Sequence, residues 1–187
     1  MTGLLFGSFN PIHLGHTALA SYLLEHTELN EIWFVVSPHN PLKEQTDLMD
    51  DDLRLKMVKL AIKDNSAFKV CNVEFFMPTP NYTINTLEHL KELYPEKQFT
   101  MIIGADNLDV FPLWREYKNL LANYPIMVYP RKGFDLAILH KEYPQVQVVY
   151  APLYPISSTQ IRELIQQKKD ASAWLHPLVY KVLLGVL

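Results

Sequence analysis

The chain has little glycine and a single cysteine, and both shortages exclude function classes. Its six glycines are scattered over 187 residues. No Gly-x-x-x-x-Gly-Lys-Ser/Thr and no Gly-x-Gly-x-x-Gly occurs, so the backbone cradles of P-loop phosphotransferases and dinucleotide dehydrogenases are missing. The lone Cys71 cannot close an intrachain disulfide, and in the apolar-leaning stretch 68–73 it reads as a small buried hydrophobe. A reducing compartment fits, so a cytoplasmic protein is expected. A basic surplus is also lacking. Seventeen Lys and Arg against twenty Asp and Glu leave a net charge of −3, which argues against a general nucleic-acid binder. The apolar run at residues 178–187 contains Lys181 and is about half as long as a membrane span requires. The N-terminus has no basic segment followed by an apolar one, so neither a signal peptide nor membrane association is expected.

What the sequence does have is alternation. Apolar residues make up 49% and charged residues 20%, the balance of an ordinary globular chain. Extended patterns are expected at 4–8, 31–36, 68–73, 99–103, 126–129 and 146–150. Helical periods fall between them, at 14–26, 53–62, 84–93, 114–121 and 136–140. Two more, 161–167 and 175–184, close the chain. Tyr94-Pro95, Tyr124-Pro125 and Tyr143-Pro144 each follow a helical stretch and precede an extended one. Proline cannot continue a helix and biases its predecessor towards extended geometry, so these pairs mark the ends of helix–strand units. Strands alternating with helices predict an α/β fold: a Rossmann-like, doubly wound parallel sheet with helices on both faces. No linker breaks residues 1–187, so one domain is expected, with a C-terminal helical segment at about 157–187. In such sheets the ligand lies beyond the carboxyl ends of the strands, where strand order reverses.

The first strand exit is GSFNPIHLGH, residues 7–16. Gly7 permits close backbone approach and Pro11 stiffens the turn. His16 falls in the first turn of the next helix, where free N–H groups attract phosphate. His13 and His16 there would contact phosphoryl oxygens and neutralise charge in a transition state, or else form a capping pair. No Asp, Glu or Cys nearby completes a metal ligand set. The second exit is SPHNPLK, whose Lys43 is either a phosphate contact or a solvated lysine. After the fourth strand come Gly104, Asp106 and Trp114. Asp106 suits a ribose hydroxyl or a helix N-cap, and Trp114 suits a flat ring or the core. The last exit is ISSTQIR, residues 156–162. Ser157 and Gln160 fit a capping box, but three hydroxyls at 157–159 followed by Arg162 also form a second anion site.

These stretches resemble known signatures. GSFNPIHLGH resembles the (H/T)-x-G-H motif of the nucleotidyltransferase superfamily, and ISSTQIR resembles its I-S-S-T-x-(I/V)-R motif. With PNYTINTL at 80–87 and GADN followed by LW, their order is similar to that of bacterial nicotinate mononucleotide adenylyltransferases, over residues 3–163. The resemblance implies AMP transfer from ATP to nicotinate mononucleotide, giving deamido-NAD and pyrophosphate in NAD biosynthesis. It implies that His16, His13 and Arg162 are catalytic. ATP would be bound by Gly7, Ser8, Phe9, His13, His16, Gly104, Asp106, Ser157, Ser158, Thr159 and Arg162. Lys43, Tyr82, Thr83 and Trp114 would bind the acceptor. Mg²⁺ would be held mainly by substrate phosphates, with no protein cage. A homo-oligomer stays open. Asn40 and Leu42 stand where relatives often carry another basic residue, which bears on the acceptor-phosphate contact. Three readings compete with the nicotinate acceptor. Nicotinamide mononucleotide could replace it, the chain could be a phosphopantetheine or cytidylyl relative, or it could be a nucleotide-binding module without catalysis.

Overall fold

In the computed structural model, residues 1–38 and 48–187 are described, so Lys43, Asn40 and Leu42 lie outside the described residues. Six strands form one parallel sheet: β1 (Thr2–Gly7), β2 (Glu31–Val36), β3 (Phe68–Cys71), β4 (Phe99–Gly104), β5 (Ile126–Tyr129) and β6 (Gln147–Val148). Their spatial order is β3-β2-β1-β4-β5-β6. Order therefore reverses between β1 and β4, and the expected doubly wound sheet is what forms. The helices are α1 (Leu14–His26), α2 (Asp51–Ile62), α3 (Thr83–Leu93), α4 (Ala105–Asp109), α5 (Tyr117–Asn123), α6 (Leu136–Glu142), α7 (Ser158–Gln166) and α8 (Pro177–Leu183).

Side chains alternate across each strand, and the core divides accordingly. On one face Leu5, Ile32, Phe34, Val36, Ile102 and Met127 pack with residues of α1, α2 and α8. On the other, Leu4, Trp33, Val35, Met101, Ile103 and Val128 pack with α3, α4 and α6. Both faces of the central strands are apolar, as a sheet covered on two sides requires. Tyr94, Tyr124 and Tyr143 are the C-caps of α3, α5 and α6, so each Tyr-Pro pair ends a helix where the sequence placed it.

Two expectations need correction. The extended stretch at 68–73 ends at Cys71, and Val73–Phe76 turns into a 3₁₀ helix. The helix expected at 114–121 starts later. Pro112 lies in a 3₁₀ turn at Phe111–Leu113, and Glu116 adopts a left-handed φ of 54°, so Trp114 stands outside any helix and α5 begins at Tyr117. At the C-terminal end the docking face is Leu175, Val179 and Val182, while Trp174 is exposed.

Candidate active site

The turn after β1 is held close to the sheet. Phe9 is buried at a left-handed φ of 45°, a conformation that costs energy and is found at sites the surroundings over-determine. Its ring lies so close over Gly7 that a Cβ there would meet it at 2.9 Å. Gly15 is also closely packed: a Cβ would sit 3.0 Å from the His13 ring and 3.2 Å from Tyr154 Cβ. The capping alternative for the histidines is half realised: the His13 backbone N–H donates to His16 Nδ1 at 3.2 Å. The two rings stack at 3.7 Å between centroids, and Phe9 meets His16 edge-on at 5.2 Å. His13 Nδ1 is buried without a hydrogen-bond partner among the described residues. Burial, reinforced by the Arg131 charge, holds the His13 pKa down at about 4, so its ring is neutral at neutral pH.

The start of α7 is tied to this turn. Ser158 Oγ donates to the Pro11 carbonyl at 2.9 Å, and Arg162 Nη1 donates to the Asn10 carbonyl at 2.9 Å. Arg162 is half-buried and Thr159 is exposed beside it. Ser157 and Gln160 form the capping box expected of them. Two helix N-termini, those of α1 and α7, with two imidazoles, three hydroxyls and a guanidinium, thus meet beyond β1.

Beyond β4, Gly104 is the N-cap of α4 and Asp106 lies in its first turn, so Asp106 is not the cap. Arg131 Nε donates to Asp106 Oδ1 at 3.2 Å. A Cβ at Gly104 would collide with Asp106 Oδ1 and come within 3.0 Å of Arg131. A cavity of about 340 Å³ opens between the ends of β1, β2 and β4, and Gly7, Ser8, Gly104, Tyr82, Thr83 and Trp114 line it. Trp114 is half-buried against the fully buried Phe111, 5.1 Å between centroids, and also lines the cavity. Tyr82 is the N-cap of α3, which directs that helix's free N–H groups to the cavity wall. The arrangement suits an anionic, phosphate-bearing ligand at one end and a flat ring at the other.

A family model described as cytidylyltransferase-like matches residues 4–164. The chain belongs to the cytidylyltransferase-like family. It is 50% identical over 180 residues to a probable nicotinate-nucleotide adenylyltransferase of Bacteroides fragilis, covering 96% of this chain and 89% of the relative. A protein of the same description from Flavobacterium johnsoniae is 45% identical, covering 96% and 93%. Within the family the chain therefore belongs with the nicotinate-nucleotide adenylyltransferases. A structure described as Plasmodium falciparum nicotinic acid mononucleotide adenylyltransferase complexed with NaAD superposes with a TM-score of 0.82, covering 98% of this chain and 94% of that one. At 21% identity this is a likeness of fold.

Several residues of this cytidylyltransferase-like site escape sequence reasoning. Arg131 follows β5 and stands by Asp106, a strand exit that the exit rule covers. Arg115 lines the cavity with its guanidinium 4.8 Å from the Tyr82 ring centroid. Arg54 is fully buried in α2. It donates to the carbonyls of Ser8, Ser37 (3.0 Å) and Met49 (3.1 Å) and to Asp51, binding the exits of β1 and β2 together. Glu74 and Asn81, both buried, line the cavity as well. Cys71 is the buried thiol expected, and its pKa is pushed up to about 11 by burial.

Proposed function

We propose that the chain transfers AMP from ATP to nicotinate mononucleotide, releasing pyrophosphate and deamido-NAD. The observation that carries this reading is the joining of the His13–His16 turn to the start of α7 through Ser158 and Arg162, beside the cavity walled by Tyr82, Thr83 and Trp114. An oxygen of the acceptor's 5′-phosphate attacks the α-phosphorus of ATP. A new P–O bond forms there as the bond to the β-phosphate oxygen breaks in line. The attacking oxygen is already ionised, so no general base is required, and catalysis is positioning plus charge stabilisation.

His16 stabilises charge on the α-phosphoryl oxygens. His13 is neutral and works as a hydrogen-bond donor, orienting the triphosphate. Ser157, Ser158, Thr159 and Arg162 receive the departing pyrophosphate at the start of α7. Gly7, Ser8 and Phe9 shape the turn against ATP, and Gly104 and Asp106 border its ribose. The acceptor's ring stacks on Trp114, and its carboxylate meets Thr83 and the backbone around Tyr82. Lys43 is assigned to the acceptor phosphate by its place in the motif. Among the described residues no group of three or more His, Cys, Asp or Glu side chains is disposed to hold a metal. Mg²⁺ would be held mainly by the substrate phosphates, where it would neutralise phosphoryl charge. No helix among the described residues is long and apolar enough to cross a membrane.

The test is pyrophosphate release with ATP, Mg²⁺ and either nicotinate or nicotinamide mononucleotide. A kcat/KM at least about tenfold higher for the acid supports the reading, the scale of one discriminating polar contact. Equal use or preference for the amide overturns the acceptor assignment. ATP binding without turnover of either mononucleotide overturns the catalytic one.

A further inference from the structure

Glu74 is a buried carboxyl that the transfer reaction does not use. It lies on the 3₁₀ turn Val73–Phe76, immediately beyond β3, and is 2% exposed. No Lys, Arg or His among the described residues forms an ion pair with it. A buried carboxyl without a counter-charge is costly and calls for a specific set of hydrogen bonds. Its surroundings supply one to the carboxyl: Oε1 lies 2.8 Å from the Thr86 hydroxyl on α3. The Asn81 side-chain amide donates to the Glu74 main-chain carbonyl at 3.2 Å, which ties the turn to the chain at Asn81. The Ser37 hydroxyl, just past β2, stands beside the carboxyl, although Oε2 makes no hydrogen bond of ordinary geometry. From β3 it is faced by the uncharged Cys71 thiol. Arg115, the cation lining the cavity, lies over the Tyr82 ring instead.

We propose that Glu74 is a positioning residue for acceptor selection: through Thr86 and Asn81 it fixes the corner 81–83, the wall on which the substituent of the acceptor's ring rests. This builds on the acceptor reading above. The Thr86 hydroxyl has two acceptors in reach, Glu74 Oε1 at 2.8 Å and the Tyr82 carbonyl at 3.3 Å, and a single hydrogen to offer. When Glu74 carries a proton it donates to Thr86, and Thr86 donates to Tyr82, so the chain of bonds ends at the N-cap of α3. When Glu74 loses that proton, Thr86 turns to the carboxylate and releases the Tyr82 carbonyl. A negative charge then appears in the wall that receives an acidic substituent. Burial raises the Glu74 pKa, which favours the first arrangement. The acid acceptor is therefore penalised twice as pH rises, by a looser corner and by repulsion. The amide acceptor meets only the looser corner, and ATP meets neither.

The experiment is steady-state kinetics of Glu74→Gln and Thr86→Val against the unaltered chain, at a series of pH values from the ordinary carboxyl value of 4.5 upward over which the chain stays folded. Each mononucleotide is varied at saturating ATP, and then ATP at saturating mononucleotide. Both substitutions nearly preserve volume, and thermal melts confirm folding. In the unaltered chain the KM for nicotinate mononucleotide rises across that series more than that for the amide. Glu74→Gln, which keeps a neutral donor towards Thr86, abolishes that difference. Thr86→Val raises the KM for the acid about tenfold, the scale of a lost buried hydrogen bond, with the KM for ATP within about twofold. The proposal is overturned if acceptor and ATP KM move together in Thr86→Val, or if Glu74→Gln keeps the pH response of the unaltered chain. A chain that uses the amide and rejects the acid overturns the acceptor reading alone, and the split between acceptor and ATP KM still decides the role of Glu74. A chain that turns over neither mononucleotide overturns both.

Discussion

The two ends of the proposed site are built differently. The proposed phosphate end, beside the cavity, comes from two short runs, 7–16 and 156–162, each leading into a helix start. Its chemistry is charge and free N–H groups, and a few consecutive residues supply both. The ring end takes Glu74 from a 3₁₀ turn, Asn81–Thr83 from the start of α3, and Trp114 and Arg115 from the irregular stretch before α5. Its chemistry is shape, and shape needs walls from distant parts of the chain. On the proposed reading, a phosphate site is written locally, whereas an acceptor pocket is written by the fold.

If that division holds, substitutions at the two ends move different kinetic constants. The largest effect belongs to the phosphate end. His16→Ala lowers kcat by at least about a hundredfold, the scale of a lost transition-state donor, with the acceptor KM within about twofold. Near-normal turnover in that variant would remove His16 from the chemistry. The next effect belongs to the ring end. Trp114→Leu keeps the packing on Phe111 and loses the flat indole face, so the acceptor KM rises up to about tenfold, with kcat and the ATP KM nearly unchanged. A fall in kcat equal to the rise in KM would show that the ends are not separable.

The same division explains what could be read before the structure was known. His13, His16, Ser158 and Arg162 were legible because their spacing fixes their place on a helix start. The Tyr-Pro pairs were legible because proline acts on its own neighbourhood. Glu74 was hidden because residues 68–73 read as one extended run, which left no reason to look for a turn and a strand exit just past Cys71. Arg54 was hidden because an arginine between Leu53 and Leu55 looks like a solvated helix residue. Its burial depends on carbonyls of Ser8 and Ser37, 46 and 17 residues away. Trp114 was legible as an aromatic near the site, while its position outside α5 depended on the left-handed Glu116, which no local pattern announces.

The smallest predicted effect sharpens the comparison through stability. At the phosphate end, His13 is held neutral with a native pKa of about 4 against an ordinary 6.5. Between those values the unfolded chain binds a proton that the native chain refuses, so acid favours unfolding. The loss begins as pH falls through 6.5 and levels off below 4. Moving from pH 7 to 5.5 should cost about 1 kcal/mol through this one group. At the ring end the sign reverses. Glu74 has a raised native pKa, so its contribution is full below the ordinary carboxyl value of 4.5 and is lost as pH rises through the native one. Denaturant unfolding at pH 5.5 and 7 checks the first half directly. The difference between the two pH values should shrink by about 1 kcal/mol in His13→Asn, since that side chain does not titrate. An unchanged difference would mean that His13 gains its proton without cost in the folded chain. His13 would then titrate near its ordinary 6.5 in the folded chain, and the proposed phosphate end would gain a positive charge in mild acid.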